Sequence, residues 1–207
     1  MTGAEDTKRR LPVPERREQI IASARAVLVK GGLRGFGLAV VAKEAGVAIG
    51  LIGHHFGGID GLIKALLHSV VASKQVTQTE VAETLETALV ALCNIVDRNF
   101  HPSYYSRDNL LVWLPIFELA IHDVEMRTGV MQRDEEDVRE MESVLGIICT
   151  LRGKTALPAE VAKLFFALLD GLWLRWCYSG RPDYAEEKTL AIGLLEDHIG
   201  PFYNAHS

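Results

Sequence analysis

Two adjacent imidazoles, His54 and His55, are the first side chains whose type suggests chemistry. Neighbouring residues on a helix point about 100° apart, so the pair is poorly placed to chelate one ion, and no third ligand follows nearby. Cys93, Cys149 and Cys177 are far apart and form no CxxC pair, which argues against a disulfide framework and a zinc site. We therefore predict no metal and no cofactor. The sequence also lacks a nucleophile–base pair and a phosphate loop, which argues against an enzyme.

Aromatic residues in the C-terminal half suggest a different chemistry, the binding of an organic cation. Quaternary ammonium groups are held over the faces of Trp, Tyr and Phe by cation–π attraction. The competing interpretation is that these rings pack a core or a dimer interface, since Trp173 and Trp176 share a helix face at i, i+3. Sequence alone leaves both open. The candidate ligand-binding residues are Trp113, Phe117, Trp173 and Tyr105, with Tyr104 as an alternative and Glu118 or Asp170 as the nearby acid.

A stretch near the N-terminus, residues 41–56, reads V-A-K-E-A-G-V-A-I-G-L-I-G-H-H-F. Its apolar residues fall on one face of a short helix, and Gly46 stands where that helix must stop in a left-handed conformation. A second short helix follows, so we predict helices over 38–45 and 48–55. Two helices joined by a glycine turn are typical of a helix-turn-helix, whose second helix enters the DNA major groove.

The charge distribution supports an N-terminal unit that binds phosphates. The chain has 207 residues and a net charge of −5, but residues 1–64 hold ten basic and six acidic side chains. The remainder holds 12 basic and 21 acidic side chains, so a positive head precedes an acidic body. No apolar run reaches the roughly 18 residues of a membrane span, and the basic N-terminus has no apolar core behind it. We expect a cytoplasmic protein without membrane contact.

The remaining elements are all predicted to be helices. Apolar residues recur at helical spacing, which predicts an all-α fold of about nine helices: a three-helix head, a linker helix and a five-helix body. The acidic run 134–137 is interpreted as a solvated helix face. The predicted domains are a basic arm over 1–14, the helix-turn-helix domain over 15–58, and a ligand-binding and dimerisation domain over 59–207. The helices after the helix-turn-helix are predicted over 60–77, 79–99, 106–122, 123–152, 158–179 and 184–199.

The head resembles the TetR family of one-component regulators over about 50 residues. The matching residues are Arg17, Ile20, Ile21, Ala24, Gly32, Val41, Ala42, Ala45, Gly46, Val47, Gly50, His54, Phe56 and Leu62. The resemblance implies a homodimer that places two recognition helices in successive major grooves of operator DNA. It implies DNA contacts from Arg17, Lys43, Ala48, Ile49, Gly50, Leu51, Gly53, His54 and His55. It also implies a four-helix dimer interface built from Leu168, Leu172, Trp176, Leu190, Leu194 and Leu195.

The body resembles one subgroup of that family, the BetI repressors of choline-to-glycine-betaine genes. The resemblance rests on L-V-W-L-P-I-F over 111–117, L-D-G-L-W-L-R over 169–175 and S-G-R-P over 179–182. It implies a repressor released by a small effector such as choline or a betaine precursor.

Four positions depart from the family pattern. Gly37 and Ala48 stand where the family has Ser or Thr, which cap helices at a gain of about 1 kcal/mol. His55 replaces a Tyr that contacts phosphate, and Ile59 lies where a Lys is usual. The alternative function is therefore a TetR-like protein with weakened or lost operator binding, acting as a ligand-binding or protein-interaction module.

Overall fold

The computed structural model describes residues 12–73 and 83–203, and within them the chain is helical, without strands. The all-α prediction is confirmed. Most of the predicted basic arm, and parts of the helices predicted over 60–77 and 79–99, fall outside the described residues. The nine described α-helices are α1 (Val13–Gly31), α2 (Leu38–Ala45), α3 (Ile49–Phe56), α4 (Ile59–Ser73), α5 (Leu85–Asn99), α6 (Arg107–His122), α7 (Val124–Arg152), α8 (Pro158–Ser179) and α9 (Ala185–Ile199).

The chain divides into two compact units, Met1–Val70 and Val71–Ser207. Helices α1–α3 and most of α4 belong to the first unit, and α5–α9 belong to the second. The first unit is built around α1, which packs on α2, while α2 contacts α3. The predicted domain boundary at residue 58 assigns α4 to the ligand-binding part and stays a functional prediction.

The turn between α2 and α3 forms as its glycine requires. Gly46 adopts a left-handed conformation with φ 63°, and the Val47 N–H donates to the Ala42 carbonyl at 2.9 Å. The Gly46 N–H donates to the carbonyls of Ala42 and Lys43, so the two N–H groups together satisfy carbonyls at the end of α2. At their other ends, α2 and α3 begin at Gly37 and Ala48 without a side-chain cap. Helices α2 and α3 therefore both lack the stabilisation that a Ser or Thr cap at the N-terminal end would supply.

The second unit is organised around α7, a 29-residue helix that packs against α5, α6 and α8. Three of its five helices have side-chain caps: the side-chain oxygens of Thr84, Ser106 and Asp123 cap α5, α6 and α7, whereas α8 and α9 have none. Helix α8 also packs on α9, which closes the core. Among the helices of the described ranges, none is both long and apolar enough to cross a membrane.

The interpretation of residues 134–137 as a solvated face is wrong for its last member. Asp137 is buried, as is Arg133 one turn earlier on α7. The Arg133 guanidinium and the Asp137 carboxylate form an ion pair at 3.5 Å, so the inward face of α7 carries a charged pair. Apolar residues near the same end point outwards instead, and Val124 is 70% exposed.

Candidate functional site

Helix α3 buries one face and presents the other. Ile52 and Phe56 are buried in the first unit, while Ile49, Gly50, Gly53 and His54 are exposed. A Cβ placed on either glycine would meet nothing within 4 Å, so this face is smooth as well as open. An anchored helix with a free face is the geometry with which a helix-turn-helix reads the major groove. The other predicted DNA-contacting residues of α2 and α3 differ in exposure: Lys43 and Ala48 are exposed, whereas Leu51 and His55 are half-buried.

Arg17, a predicted DNA contact, also has an internal role. Its guanidinium donates a hydrogen bond to the His55 carbonyl and lies 4.4 Å from the centre of the Phe56 ring. A cation at the last turn of α3 is favoured by the helix dipole. Gln19 makes a parallel contact, donating from its side-chain amide to the Ala45 carbonyl at 3.0 Å. Helix α1 thus holds the C-terminal ends of both α2 and α3 and fixes the recognition helix in place.

The predicted ligand-binding aromatics of the second unit lie in an aromatic cluster, in which Trp113, Trp173 and Tyr105 are buried and Phe117 is 37% exposed. Trp113 stacks on Phe117 with ring centres 5.2 Å apart, and Tyr104 stacks on Trp173 at 5.6 Å. The Trp173 indole N–H donates to a backbone carbonyl at 3.1 Å, which locks its ring. The Tyr105 ring centre lies 6.1 Å from that of Trp173 and 5.5 Å from that of Trp176, so this ring extends the cluster into the core. Burial raises the pKa of the Tyr105 phenol well above its usual value.

A cavity of about 260 Å³ lies beside this cluster, walled by α5, α7, α8 and the segment before α6. It is smaller than the roughly 300–1,000 Å³ of drug-sized sites, so it suits a small ligand. Its aromatic residues are Tyr104, rather than Tyr105, and Phe166, which the sequence did not single out. The lining residues are Asn99, Tyr104, Arg133, Asp134, Asp137, Val138, Lys163, Phe166, Ala167, Leu169 and Asp170.

Acidic groups outnumber basic ones in this lining. Three aspartates, at positions 134, 137 and 170, face Arg133 and Lys163. The pKa of Asp170 is raised to about 6, chiefly because protein surrounds its carboxyl group and secondly because the Asp134 charge opposes ionisation, while Arg133 acts the other way. The side chains of Asp134 and Asp170 are exposed whereas Asp137 is buried, so the lining combines exposed and buried carboxylates.

The predicted dimer residues are split between the interior and the surface of the second unit. Leu172, Trp176 and Leu195 are buried within the protomer, and the Trp176 indole donates to the Asp183 carbonyl at 2.7 Å. Leu168 and Leu194 are half-buried. Of the predicted dimer residues only Leu190, on α9, is exposed, at 52%. Three apolar side chains of α8 are exposed as well, those of Leu164, Leu174 and Tyr178.

Comparisons with known proteins agree with both units. Residues 20–66 match the family model "Bacterial regulatory proteins, tetR family", and residues 91–200 match "BetI-type transcriptional repressor, C-terminal". The HTH-type transcriptional regulator BetI of Burkholderia mallei (strain NCTC 10229) is 30% identical over 188 residues, covering 89% of this chain and 91% of that protein.

Solved structures share the fold at lower identity. A protein of Pseudomonas aeruginosa PAO1 described as a transcriptional regulator superposes with a TM-score of 0.71 at 20% identity, covering 96% of this chain and 97% of its own. One from Saccharomonospora viridis, crystallised in complex with choline, has a TM-score of 0.70 at 17% identity and covers 90% and 98%. At these identities the two structures support the fold alone.

Proposed function

Because the chain belongs to the TetR family of bacterial regulatory proteins and carries a BetI-type C-terminal domain, we propose that it is a homodimeric repressor of transcription. It binds operator DNA through α3 and releases it when a small organic cation, choline or a betaine precursor, binds the second unit. Its place of action is the cytoplasm, where a bacterial operator is found. The observation that carries the effector class is the small cavity with aromatic walls and an excess of acid.

The DNA-binding part of the proposal rests on α3. Its buried side is tied to α1 by Arg17, and its exposed side carries Ile49, Gly50, Gly53 and His54. Such a face can make apolar contacts with thymine methyl groups, and it carries one imidazole that can hydrogen-bond to the DNA. The glycines allow the helix to approach base edges closely. Specificity then depends more on shape and methyl contacts than on bidentate hydrogen bonds.

The effector part of the proposal rests on charge and size. A quaternary ammonium gains from aromatic faces and from nearby carboxylates, and the cavity supplies Tyr104, Phe166, Asp134 and Asp170. The regulator from Saccharomonospora viridis, which has the same fold, was crystallised in complex with choline, so a protein of this fold can hold a cation of this class.

The dimer part of the proposal rests on the exposed apolar residues of α8 and α9. Leu164, Leu174, Tyr178 and Leu190 are exposed, and Gly171 on α8 would let a partner helix approach closely. A second copy that packs its own α8 and α9 on this face would remove these side chains from water.

The test is operator binding measured across a salt series, with and without choline. DNA upstream of the protein's own gene is the substrate, and light scattering of the same samples reports the dimer. Gly53→Glu places a carboxylate on the open face of α3 without a clash, because a Cβ there meets nothing within 4 Å. We expect it to abolish specific binding. The matched control is Gly35→Glu, which adds the same charge at the end of the 3₁₀ helix Leu33–Gly35, outside α3. A Cβ there also meets nothing within 4 Å, so this variant should fold and retain binding.

A second candidate function is favoured by specific features of the first unit. Gly37 and Ala48 provide no side-chain cap for α2 and α3, and Ile59 provides no hydrogen-bond donor to phosphate. The Arg17 guanidinium already donates to the His55 carbonyl of α3. The chain would then act as a ligand-binding or protein-interaction module. Choline binding without specific DNA binding at low salt would favour this alternative. Operator binding that weakens steeply with salt would exclude it, since each phosphate contact adds to the slope.

A further inference from the structure

Arg133 is a buried cation that already lies against the aromatic cluster of the second unit. It is only 6% exposed, and the carbon at the centre of its guanidinium lies 5.1 Å from the centre of the Trp113 ring and 5.6 Å from that of Tyr104. Both distances are within the range of cation–π attraction. Each of these rings is stacked on a further aromatic, Phe117 and Trp173 respectively, so the guanidinium contacts two supported aromatic faces.

The polar contacts of Arg133 are weak for a buried arginine. Its nearest carboxylate oxygen, on Asp137, is 3.5 Å away, and its bond to the Tyr104 hydroxyl is 3.3 Å long. Its Nε has no hydrogen-bond partner. Arg98 in the same unit differs in its carboxylate contact: its Nε also has no hydrogen-bond partner, but its other two nitrogens hold Glu140 with bonds of 3.1 and 2.5 Å. The aromatic faces therefore account for an unusually large share of what holds the Arg133 guanidinium in place.

We propose that the Arg133 guanidinium is an internal competitor, which occupies the aromatic faces of Tyr104 and Trp113 and leaves them when an organic cation binds. The inference rests on the proposed function, because it concerns the same effector site. Arg133 and Tyr104 both line the cavity, so a cation entering there reaches the occupied aromatic face directly. Asp170 in the same lining then offers the displaced guanidinium a carboxylate partner.

Displacement has a consequence for affinity that can be measured. Part of the free energy of effector binding is used to move Arg133, so the wild-type protein binds cations more weakly than an open aromatic site would. Removing the resident charge should therefore tighten binding. Arg133→Gln alone would leave Asp137 buried without its partner, which destabilises proteins strongly, so the test variant is Arg133→Gln combined with Asp137→Asn.

The experiment is calorimetric titration of the full chain with choline, tetramethylammonium and 3,3-dimethylbutan-1-ol, the neutral carbon analogue of choline. We expect the double variant to bind both cations about tenfold more tightly than wild type, with no gain for the neutral alcohol. The matched control is Lys188→Gln combined with Asp97→Asn, which neutralises an ion pair outside the cavity lining and should leave cation affinity unchanged.

A second measurement uses the wild-type protein and needs no stable variant. The Arg133 Nε–H resonance should be shifted upfield by the rings of Trp113 and Tyr104, and saturating choline should return it towards the position of an exposed arginine. If choline binds wild type but the resonance does not move, or the double variant binds no better, Arg133 is not a competitor while the cation effector stands. If neither protein binds a cation, both the role of Arg133 as a competitor and the proposed class of effector are wrong. Operator binding in the salt series then still tests whether the protein is a DNA-binding regulator.

Discussion

Replacing Ala48 with serine should give the recognition helix the N-terminal cap that it lacks. Ala48 has φ −71° and ψ 143°, the extended conformation that the capping residues Thr84 and Ser106 also adopt. A serine hydroxyl there can accept a hydrogen bond from the first turn of α3 without a change of backbone. Because Ala48 is exposed, the added oxygen displaces no packed neighbour.

The size of the gain follows from the bonds that α3 already makes. A cap contributes about 0.5–2 kcal/mol, most often about 1. The Leu51 N–H, one of the two that a serine would reach, already donates to the Ala48 carbonyl at 3.0 Å. We therefore expect the lower half of the range, about 0.5–1 kcal/mol in the free energy of opening α3. Since about 1.4 kcal/mol changes an equilibrium constant tenfold, this gain lowers the equilibrium constant for local opening of α3 about two- to fivefold.

The assay is native-state hydrogen exchange of the α3 amides, which reports local opening separately from unfolding of the second unit. Ser106→Ala is the reference in the opposite direction, because the Ser106 hydroxyl accepts from the Asn109 N–H at 3.2 Å and its loss should cost about 1 kcal/mol in α6. In operator binding, Ala48→Ser should raise affinity severalfold with the same salt slope, since serine is neutral. Unchanged exchange in α3, alongside a clear loss in α6 for Ser106→Ala, would refute the reasoning that the missing cap weakens α3.

Two further predictions concern the effector cavity. The pKa of Asp170 is about 6, above the ordinary 3.8, so the empty folded protein protonates this carboxylate as the pH falls below about 6, whereas a bound cation favours the ionised form. Choline affinity should thus fall by up to about tenfold from pH 7 to pH 5 in wild type and stay flat in Asp170→Asn, as titration calorimetry at each pH would show. Trp173→Phe keeps the ring that stacks on Tyr104 but loses the bond to the Ser106 carbonyl, at a cost of about 1 kcal/mol in thermal unfolding. Trp173→Ala should cost about 3–5 kcal/mol, and equal losses for the two variants would show that packing of the ring contributes little.

The helices were predictable from sequence because local signals determine where they end. Gly46 and Gly153 both adopt left-handed conformations directly after α2 and α7, where a residue without a Cβ is favoured. Pro158 begins α8 at a position that needs no N–H donor. These signals act within a few residues, so no tertiary information was required.

The cavity was less predictable because α7 turns a charged pair inwards. Arg133 and Asp137 are spaced i, i+4, which in a sequence looks the same as a surface ion pair. On the same helix the apolar side chain of Met131 is 53% exposed while the charged pair is buried. Likewise Tyr104 and Tyr105 are neighbours of one residue type, and only the fold shows which of them faces the cavity.

A site for an organic cation is difficult to keep folded when it is empty, because it combines a buried carboxylate, that of Asp137, with bare aromatic faces. A buried charge without a partner costs several kcal/mol. Arg133 removes both problems in the empty state: it pairs with Asp137 and covers the faces of Tyr104 and Trp113. The same residue then gives α7 two arrangements, with the guanidinium against the rings or away from them. An effector shifts a protein between states only by binding one better than the other, and exchange of one cation for another supplies that difference.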